Sequence, residues 1–178
     1  ELGLKSEWFD RRLRLNLSAF HYEIEDYQTR SASGSNPVPT LLNAAEVETD
    51  GFEIEFEALP AENVRVFGSF SWLDSEYKDF PFAPFTSLGT SALGGLTTTI
   101  DDASGNDTPL APEFAGSVGV SYLLPMNDLG EMNFSMLYSY NGGYYFEPDN
   151  RTEQPSFGIL NATIAYRATQ HWRVELWG

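Results

Sequence analysis

The sequence of 178 residues contains no cysteine, two histidines, and ten basic residues against 26 acidic ones. The absence of cysteine excludes structural disulfides and cysteine-based metal or redox sites. A net charge of −16 argues against nucleic acid as a partner, because phosphate binding needs clustered lysine and arginine. The chain also lacks any long apolar run, and its mean hydropathy is −0.30, so a helical membrane protein is excluded. A β-barrel remains possible, because alternating strands average to near-neutral hydropathy.

One stretch, residues 43–77, sets the pattern for the rest of the chain. Over residues 52–58 apolar side chains alternate with glutamates, which is typical of a strand with one apolar and one charged face. Residues 60–63 predict a turn, and the alternation resumes over residues 64–72. The stretch therefore predicts an antiparallel hairpin whose apolar face consists of Phe52, Ile54, Phe56, Ala58, Val64, Val66, Gly68, Phe70 and Trp72.

The same alternation predicts about eight strands and no helix. The apolar residues change sides at Ala19 and Phe20, which we interpret as a β-bulge, and again near Gly51. Short turns are predicted at residues 10–11, 60–63, 125–130 and 167–170, and longer connections at residues 31–39, 81–112 and 144–155. Short and long connections thus alternate along the chain.

This alternation of connection lengths indicates a membrane barrel, because outer-membrane barrels have short turns on one rim and long loops on the other. Aromatic residues also precede the long loops, as an interfacial girdle would: Trp72, Tyr77, Phe80, Tyr138, Tyr140, Tyr144 and Tyr145. We therefore predict an all-β, antiparallel up-and-down meander of about eight strands that forms part of a transmembrane β-barrel.

Three segments resemble the C-terminal barrel portion of TonB-dependent outer-membrane receptors: residues 4–28, 43–80 and 160–178. The segment NAAEVETDGFEIEFEALP is the most specific of them. The resemblance implies a partial barrel over residues 1–178, without plug, TonB box or final strand, taken from a barrel of about 22 strands. The two ends, ELGLKSEW and WRVELWG, also predict a piece of a longer protein.

The resemblance further implies a function for the parent protein. Such receptors import scarce ligands across the outer membrane of Gram-negative bacteria, most often ferric siderophores and sometimes cobalamin, haem or glycans. The implied partners are outer-membrane lipid, the protein's own N-terminal plug, TonB, and a small ligand such as a ferric siderophore. The resemblance implies no enzymatic activity and no cofactor.

Charged residues on the non-apolar face predict a ladder across neighbouring strands near the short turns. As part of a barrel this face would line the lumen. The ladder either docks the plug or forms ordinary lumen ion pairs, which contribute little where water reaches them. Its members are Arg12, Arg14, Glu53, Glu55, Glu57 and Arg65.

Aromatic residues of the long loops are the candidates for ligand contact, because flat amphipathic rings suit chelates or sugars. The alternative is that they form the girdle or pack within loops. These candidates are Phe80, Phe82, Phe85, Tyr144, Tyr145 and Phe146.

No pattern predicts a metal or catalytic site. Asp102, Ser104 and Asn106 loosely resemble a calcium loop, but Asp107 stands where such a loop needs glycine, so a solvated acidic loop is expected. His21 and His171 lack paired ligand spacing.

Two other protein classes remain open on the sequence alone. One is a complete eight-stranded outer-membrane barrel with an adhesive or structural role, since about eight strands can close a small barrel. The other is a soluble β-domain that binds carbohydrate, in which apolar faces would pack against each other instead of facing outward.

Overall fold

The computed structural model describes residues 1–33, 36–89, 94–168 and 172–178, and of residues 29–33 and 36–45 it describes the backbone alone. Within these ranges no helix is long and apolar enough to cross a membrane. One short 3-10 turn, Asn127–Leu129, lies among the strands. The strands are β1 (Leu2–Trp8), β2 (Leu13–Ser33), β3 (Asn36–Ala61), β4 (Val64–Asp79), β5 (Ala83–Leu88), β6 (Leu96–Asp101), β7 (Phe114–Pro125), β8 (Glu131–Tyr145), β9 (Glu153–Ala168) and β10 (Trp172–Trp177).

Eight of the strands form one antiparallel sheet in the order β1-β2-β3-β4-β7-β8-β9-β10. Each strand therefore pairs with its neighbour in sequence, apart from the β5–β6 insertion, and the predicted eight-stranded meander is confirmed. Within the described residues the sheet is open, with β1 and β10 at opposite edges. The eight strands thus do not close on themselves, which argues against the small complete barrel.

Two of the predicted long connections contain regular structure. Residues 31–39 lie mostly within β2 and β3, which pair as far as Ser33 and Asn36. The connection over residues 81–112 contains a separate two-stranded sheet, β5–β6. With 21 and 26 residues, β2 and β3 are far longer than the about 9–11 residues with which a tilted strand crosses a membrane.

The predicted bulge at Ala19 and Phe20 is wrong. The β2–β3 register runs without a shift from Leu13↔Ala58 to Ile24↔Val47, and the first irregularity follows Ile24. The apolar residues therefore change face while the strand continues regularly. Phe20 lies on the opposite face from Leu17, and its ring occupies the space above Gly51 where any larger residue would place its Cβ.

The change of face occurs at one level of the sheet. Ala19 pairs with Phe52, Phe52 with Trp72, and Trp72 with Phe114. On the short-turn side of this row the apolar residues lie on the outward face, the face of the sheet that carries Leu17. On the long-loop side that same face becomes polar.

Apolar side chains on the outward face form a belt on the short-turn side of this row. In the β4–β7 pair the belt runs from Val64↔Tyr122 to Trp72↔Phe114, which matches the about 9–11 residues of a membrane-crossing strand. Its residues are exposed even at the centre of the sheet, as Val118 at 47% shows. Such an exposed apolar surface fits contact with lipid and does not fit a soluble domain with packed apolar faces.

The opposite face of the belt, here called the polar face, carries small and hydroxyl side chains. Ser69 and Ser117 form a direct pair across β4 and β7, with hydroxyls 3.2 Å apart. Phe67 is an aromatic residue on this face, and its ring lies over Gly119, where a Cβ would come within 2.5 Å of the ring. The glycine thus makes room for an aromatic side chain on a largely polar wall.

Substitution of adjacent residues on β7 tests the assignment of faces. Val118→Arg places a charge at mid-belt on the outward face and should destabilise the folded protein by about 2–4 kcal/mol. Ser117→Arg points to the polar face, near Glu55, and should cost much less. Urea unfolding of the protein in lipid vesicles measures both. Equal losses for the two variants would refute the assignment.

Candidate functional site at the long-loop rim

A small apolar core lies at the long-loop end of the polar face. Val47 and Tyr77 pair across β3 and β4, and the rings of Tyr77 and Phe80 pack with centroids 5.0 Å apart. The β5–β6 hairpin covers them with Ala83 and Phe85. Tyr77 and Phe80 are 0% and 1% exposed, so their prediction as girdle residues is wrong. The core fixes the hairpin against the sheet.

A buried carboxylate joins this hairpin to the loop between β8 and β9. Asp149 is 7% exposed, and its Oδ2 accepts the backbone N–H of Thr86 at 3.0 Å. Its Oδ1 accepts the backbone N–H of Arg151 at 3.2 Å, and the Arg151 guanidinium lies over the Phe85 ring at 5.2 Å. One side chain thus holds β5 against a loop about 60 positions further along the chain, and such charge-assisted hydrogen bonds are among the stronger ones.

Two asparagines add further links between the same loops. Asn106 Nδ2 donates to the carbonyl oxygen of Pro148 at 2.8 Å. Asn150 Oδ1 accepts the N–H of Asp107 at 2.8 Å, and its Nδ2 donates to the Asp107 carbonyl at 3.0 Å. Asn150 has a φ of 49°, a left-handed conformation that asparagine tolerates well. The loops over residues 80–113 and 146–152 therefore form one connected rim.

A cleft of about 600 Å³ lies between this rim and the long-loop end of β8. Four carboxylates line it, together with Tyr144 and Tyr145; they are Asp74, Asp107, Glu113 and Glu153. Partial burial, and then the nearby charges of Asp74 and Glu113, raises the pKa of Asp107. The cleft thus presents a strongly acidic wall beside two aromatic rings.

The rim separates the candidate aromatic residues into two groups. Phe80 and Phe85 are buried in the core, so their rings serve packing. Phe82 and Phe146 are 73% and 45% exposed. Tyr144 and Tyr145 line the cleft, and Tyr144 packs edge-on against Phe146 with centroids 5.3 Å apart.

The predicted charge ladder lies on the polar face near the short turns. Arg65 Nε donates to Glu57 at 2.6 Å, and Arg14 Nε donates to Glu7 of β1 at 3.0 Å. Arg12 instead donates to the backbone carbonyl of Leu59 at 3.0 Å. The remaining two carboxylates accept from polar side chains of β2: Glu53 from Ser18 and Glu55 from Asn16.

Arg14, Glu55, Glu57 and Arg65 line a shallow cavity of about 420 Å³ on this face. The ladder residues are well exposed, so their mutual attraction contributes little to the stability of this open sheet. They give this face an exposed polar surface that can contact a second surface.

The acidic loop after β6 is held by local hydrogen bonds. Asp102 Oδ1 accepts the backbone N–H of Ser104 at 2.9 Å, and the Asn106 amide is engaged with Pro148. Hydrogen bonds from the Ser104 hydroxyl and N–H lower the pKa of Asp102. His171 lies outside the described residues, whereas His21 lies on β2 beside Glu23 and Asp50.

Sequence reasoning did not reveal how the loops join. The links through Asp149, Asn150 and Asn106 connect positions that are far apart in sequence, and each is a single polar residue in a polar loop. The run of β-branched residues from Thr97 to Ile100 was the local signal that could have indicated β6.

An open meander with an apolar outward belt, a polar inner wall and elaborate loops on one rim defines the wall of a large transmembrane barrel. Comparison with known families is consistent with this class. The model of the family "TonB dependent receptor-like, beta-barrel" matches residues 1–178. The chain belongs to this family of receptors, which lie in the outer membrane of Gram-negative bacteria.

Individual proteins match the chain in sequence or in structure. The chain is 33% identical over 76 residues to the metal-pseudopaline receptor CntO of Pseudomonas aeruginosa, an overlap that covers 43% of this chain and 10% of that receptor. The siderophore receptor PiuA of Acinetobacter baumannii matches 98% of this chain with a TM-score of 0.71 at 20% identity. The ferric yersiniabactin uptake receptor FyuA of Yersinia pestis also matches 98%, with a TM-score of 0.72 at 18% identity. The chain spans 22% and 23% of those two structures.

Removal of the Asp149 carboxylate should release the hairpin from its neighbouring loop. Asp149→Ala leaves the Thr86 N–H without its acceptor, at a cost of about 1–3 kcal/mol. Amide hydrogen exchange over residues 83–88 in the assembled receptor should become about 5- to 150-fold faster. Glu147→Ala, which removes an exposed carboxylate of the same loop, should leave this exchange unchanged. Unchanged exchange in Asp149→Ala would show that the link does not hold the hairpin.

Neutralisation of Asp107 should stabilise the rim at neutral pH. Because the pKa of Asp107 in the folded rim is raised above 3.8, the docked loop is most stable with this group protonated and weakens as the pH rises through the raised pKa. Asp107→Asn should therefore slow amide exchange over residues 103–110 at pH 7, and the difference from wild type should vanish below about pH 4. Asp128→Asn, at the other rim, is the control. Faster exchange in Asp107→Asn at pH 7 would contradict this account.

Proposed function

We propose that the protein carrying this chain imports a metal–siderophore complex, most specifically a ferric siderophore, across the outer membrane with energy supplied through TonB. The observation that carries the proposal is the match of the whole chain to the receptor barrel family. Structural neighbours named as siderophore receptors, and a curated relative named as a metal-pseudopaline receptor, support this ligand class. In this role the chain catalyses no reaction, because its strands form the wall and its loops select the ligand.

The long-loop rim is the surface that meets the ligand first in this proposal. Its loops are already fixed to each other through Asp149 and Asn150, so ligand binding does not need to order them. Of the candidate rings, Phe82, Tyr144, Tyr145 and Phe146 are the ones that remain accessible. Phe80 and Phe85 are buried in the core and are therefore not accessible.

The acidic lining of the cleft restricts which ligands this segment binds alone. Among the residues that the structure describes, four carboxylates and no lysine or arginine line it, so a strongly anionic chelate would be repelled there. We propose that this part of the rim contributes aromatic contacts, and that neutralising contacts for an anionic complex come from elsewhere in the receptor.

The polar face is the proposed contact surface for the plug domain. Its cavity at Arg14, Glu57 and Arg65 combines both charge signs within a small area, which suits a polar partner surface. TonB would act on the plug and would not touch this chain. The remaining proposed partner, membrane lipid, would contact the outward belt on the opposite side of the sheet.

Transport assays in the native bacterium test the proposal. Deletion of the gene should abolish uptake of ⁵⁵Fe from at least one complex in a panel of ferric catecholates, hydroxamates and mixed chelators, and the intact gene should restore it. Deletion of tonB should abolish the same uptake. If ⁵⁵Fe uptake from every chelate persists without the gene, the receptor does not import ferric siderophores.

A pair of tyrosine substitutions tests the role of the cleft. Tyr144→Ala removes a ring contact worth about 0.5–1.5 kcal/mol, so the apparent affinity for the transported complex should fall by about two- to tenfold. Tyr140→Leu, on the outward belt, should leave it unchanged. An equal affinity in wild type and Tyr144→Ala would remove this residue from the binding surface.

A further inference from the structure

A histidine and three carboxylates lie together on the outward face just beyond the apolar belt. His21 and Glu23 of β2 are directly opposite Asp50 and Glu48 of β3, respectively. All four share the face of Leu17, one and two rows past Ala19, where that face has become polar. The strand register thus brings together side chains that are 25 to 29 positions apart in sequence.

The imidazole of His21 is held between two carboxylates. Its Nδ1 is 3.0 Å from Asp50 Oδ1, and its Nε2 is 3.4 Å from Glu23 Oε1. A neutral imidazole donates from only one nitrogen. With Nδ1–H donating to Asp50, the Nε2 lone pair faces a carboxylate, which is also an acceptor. Such an arrangement is favourable when a positive charge lies between them, either a second proton on the ring or a metal ion.

The separations suit a metal ion. Ligand atoms of His21, Glu23 and Glu48 all lie within 4.8 Å of one another. Two ligands on a tetrahedral Zn²⁺ with bonds of about 2.1 Å are about 3.4 Å apart. The His21–Glu23 separation already has that value, so side-chain rotation of Glu48 is the main adjustment required.

We propose that His21 Nε2, Glu23 and Glu48 form a binding site for a divalent transition metal of the Zn²⁺ class. Asp50 is the positioning residue: metal-bound histidines commonly donate their other ring N–H to a carboxylate, which fixes the tautomer and the ring orientation. Water completes the coordination. The bound ion ties β2 to β3 where the pair leaves the belt. This site is independent of the transported ligand.

Lys78 is the competing cation. Its ammonium lies 2.8 Å from Glu48 Oε1 and also contacts Glu76. Metal binding requires Glu48 to turn from Lys78 toward His21, and Lys78 then keeps Glu76 as its partner. Removal of the ammonium should therefore favour the metal, which gives the proposal a gain-of-affinity test.

Zinc binding to the intact receptor tests the site. The receptor is purified in detergent and dialysed against a chelator, and Zn²⁺ is then titrated against a chromophoric competitor. His21→Ala should bind one Zn²⁺ fewer per chain than wild type, whereas His171→Ala, at the other histidine of the sequence, should bind the same number. Glu23→Gln, nearly isosteric, should weaken that site at least tenfold, and Asp50→Asn by about 10- to 100-fold. Lys78→Gln should tighten it.

Metal selectivity and spectroscopy provide separate readouts. Because imidazole favours transition metals, millimolar Ca²⁺ or Mg²⁺ should not displace the bound Zn²⁺. Co²⁺ in the site should give visible absorption bands of low-coordinate cobalt that disappear in His21→Ala. Identical Zn²⁺ stoichiometry in wild type and His21→Ala would overturn the proposal. Undiminished affinity in a folded Glu23→Gln variant would remove Glu23 from the ligand set. Weaker binding in Lys78→Gln would remove Glu48 from it.

Discussion

Uninterrupted backbone pairing is the constraint on which the rest of this structure depends. Over Leu13–Ile24 of β2, Val47–Ala58 of β3 and Val64–Trp72 of β4 each residue has a fixed partner on the next strand, so the face of every side chain there is set by its position in the register. The row Ala19, Phe52, Trp72 and Phe114 therefore acts as a common boundary. On one side of it the outward face meets hydrocarbon; on the other it meets water and polar groups, and the apolar residues move to the inner face to support the loops.

This boundary explains both the success and the main error of sequence reasoning. Alternation between residues 52 and 72 predicted the strands, the hairpin and the lipid-facing side, because one solvent lies on each face throughout that stretch. Beyond Ala19 the solvent changes while the strand does not. A change of face then has the same appearance in sequence as a bulge, and only the register distinguishes the two.

The rim and the histidine cluster were beyond sequence reasoning for a different reason. Asp149 bonds to Thr86, and His21 lies beside Asp50, only because strands and loops distant in the chain are brought side by side. Local composition around each residue is ordinary for a polar loop or strand end. Candidate aromatic residues could be found from their position next to long loops, but which of them pack inward depended on the β5–β6 hairpin, whose docking is a tertiary effect.

The joined rim has a consequence for how the receptor can vary. Residues 83–88 and 146–152 share a buried carboxylate, so a change in one loop alters the position of the other. Under the proposed function, exchange of either loop alone for a new ligand preference would therefore disturb the order of its partner. The two loops are therefore expected to vary together during evolution, as compatible pairs.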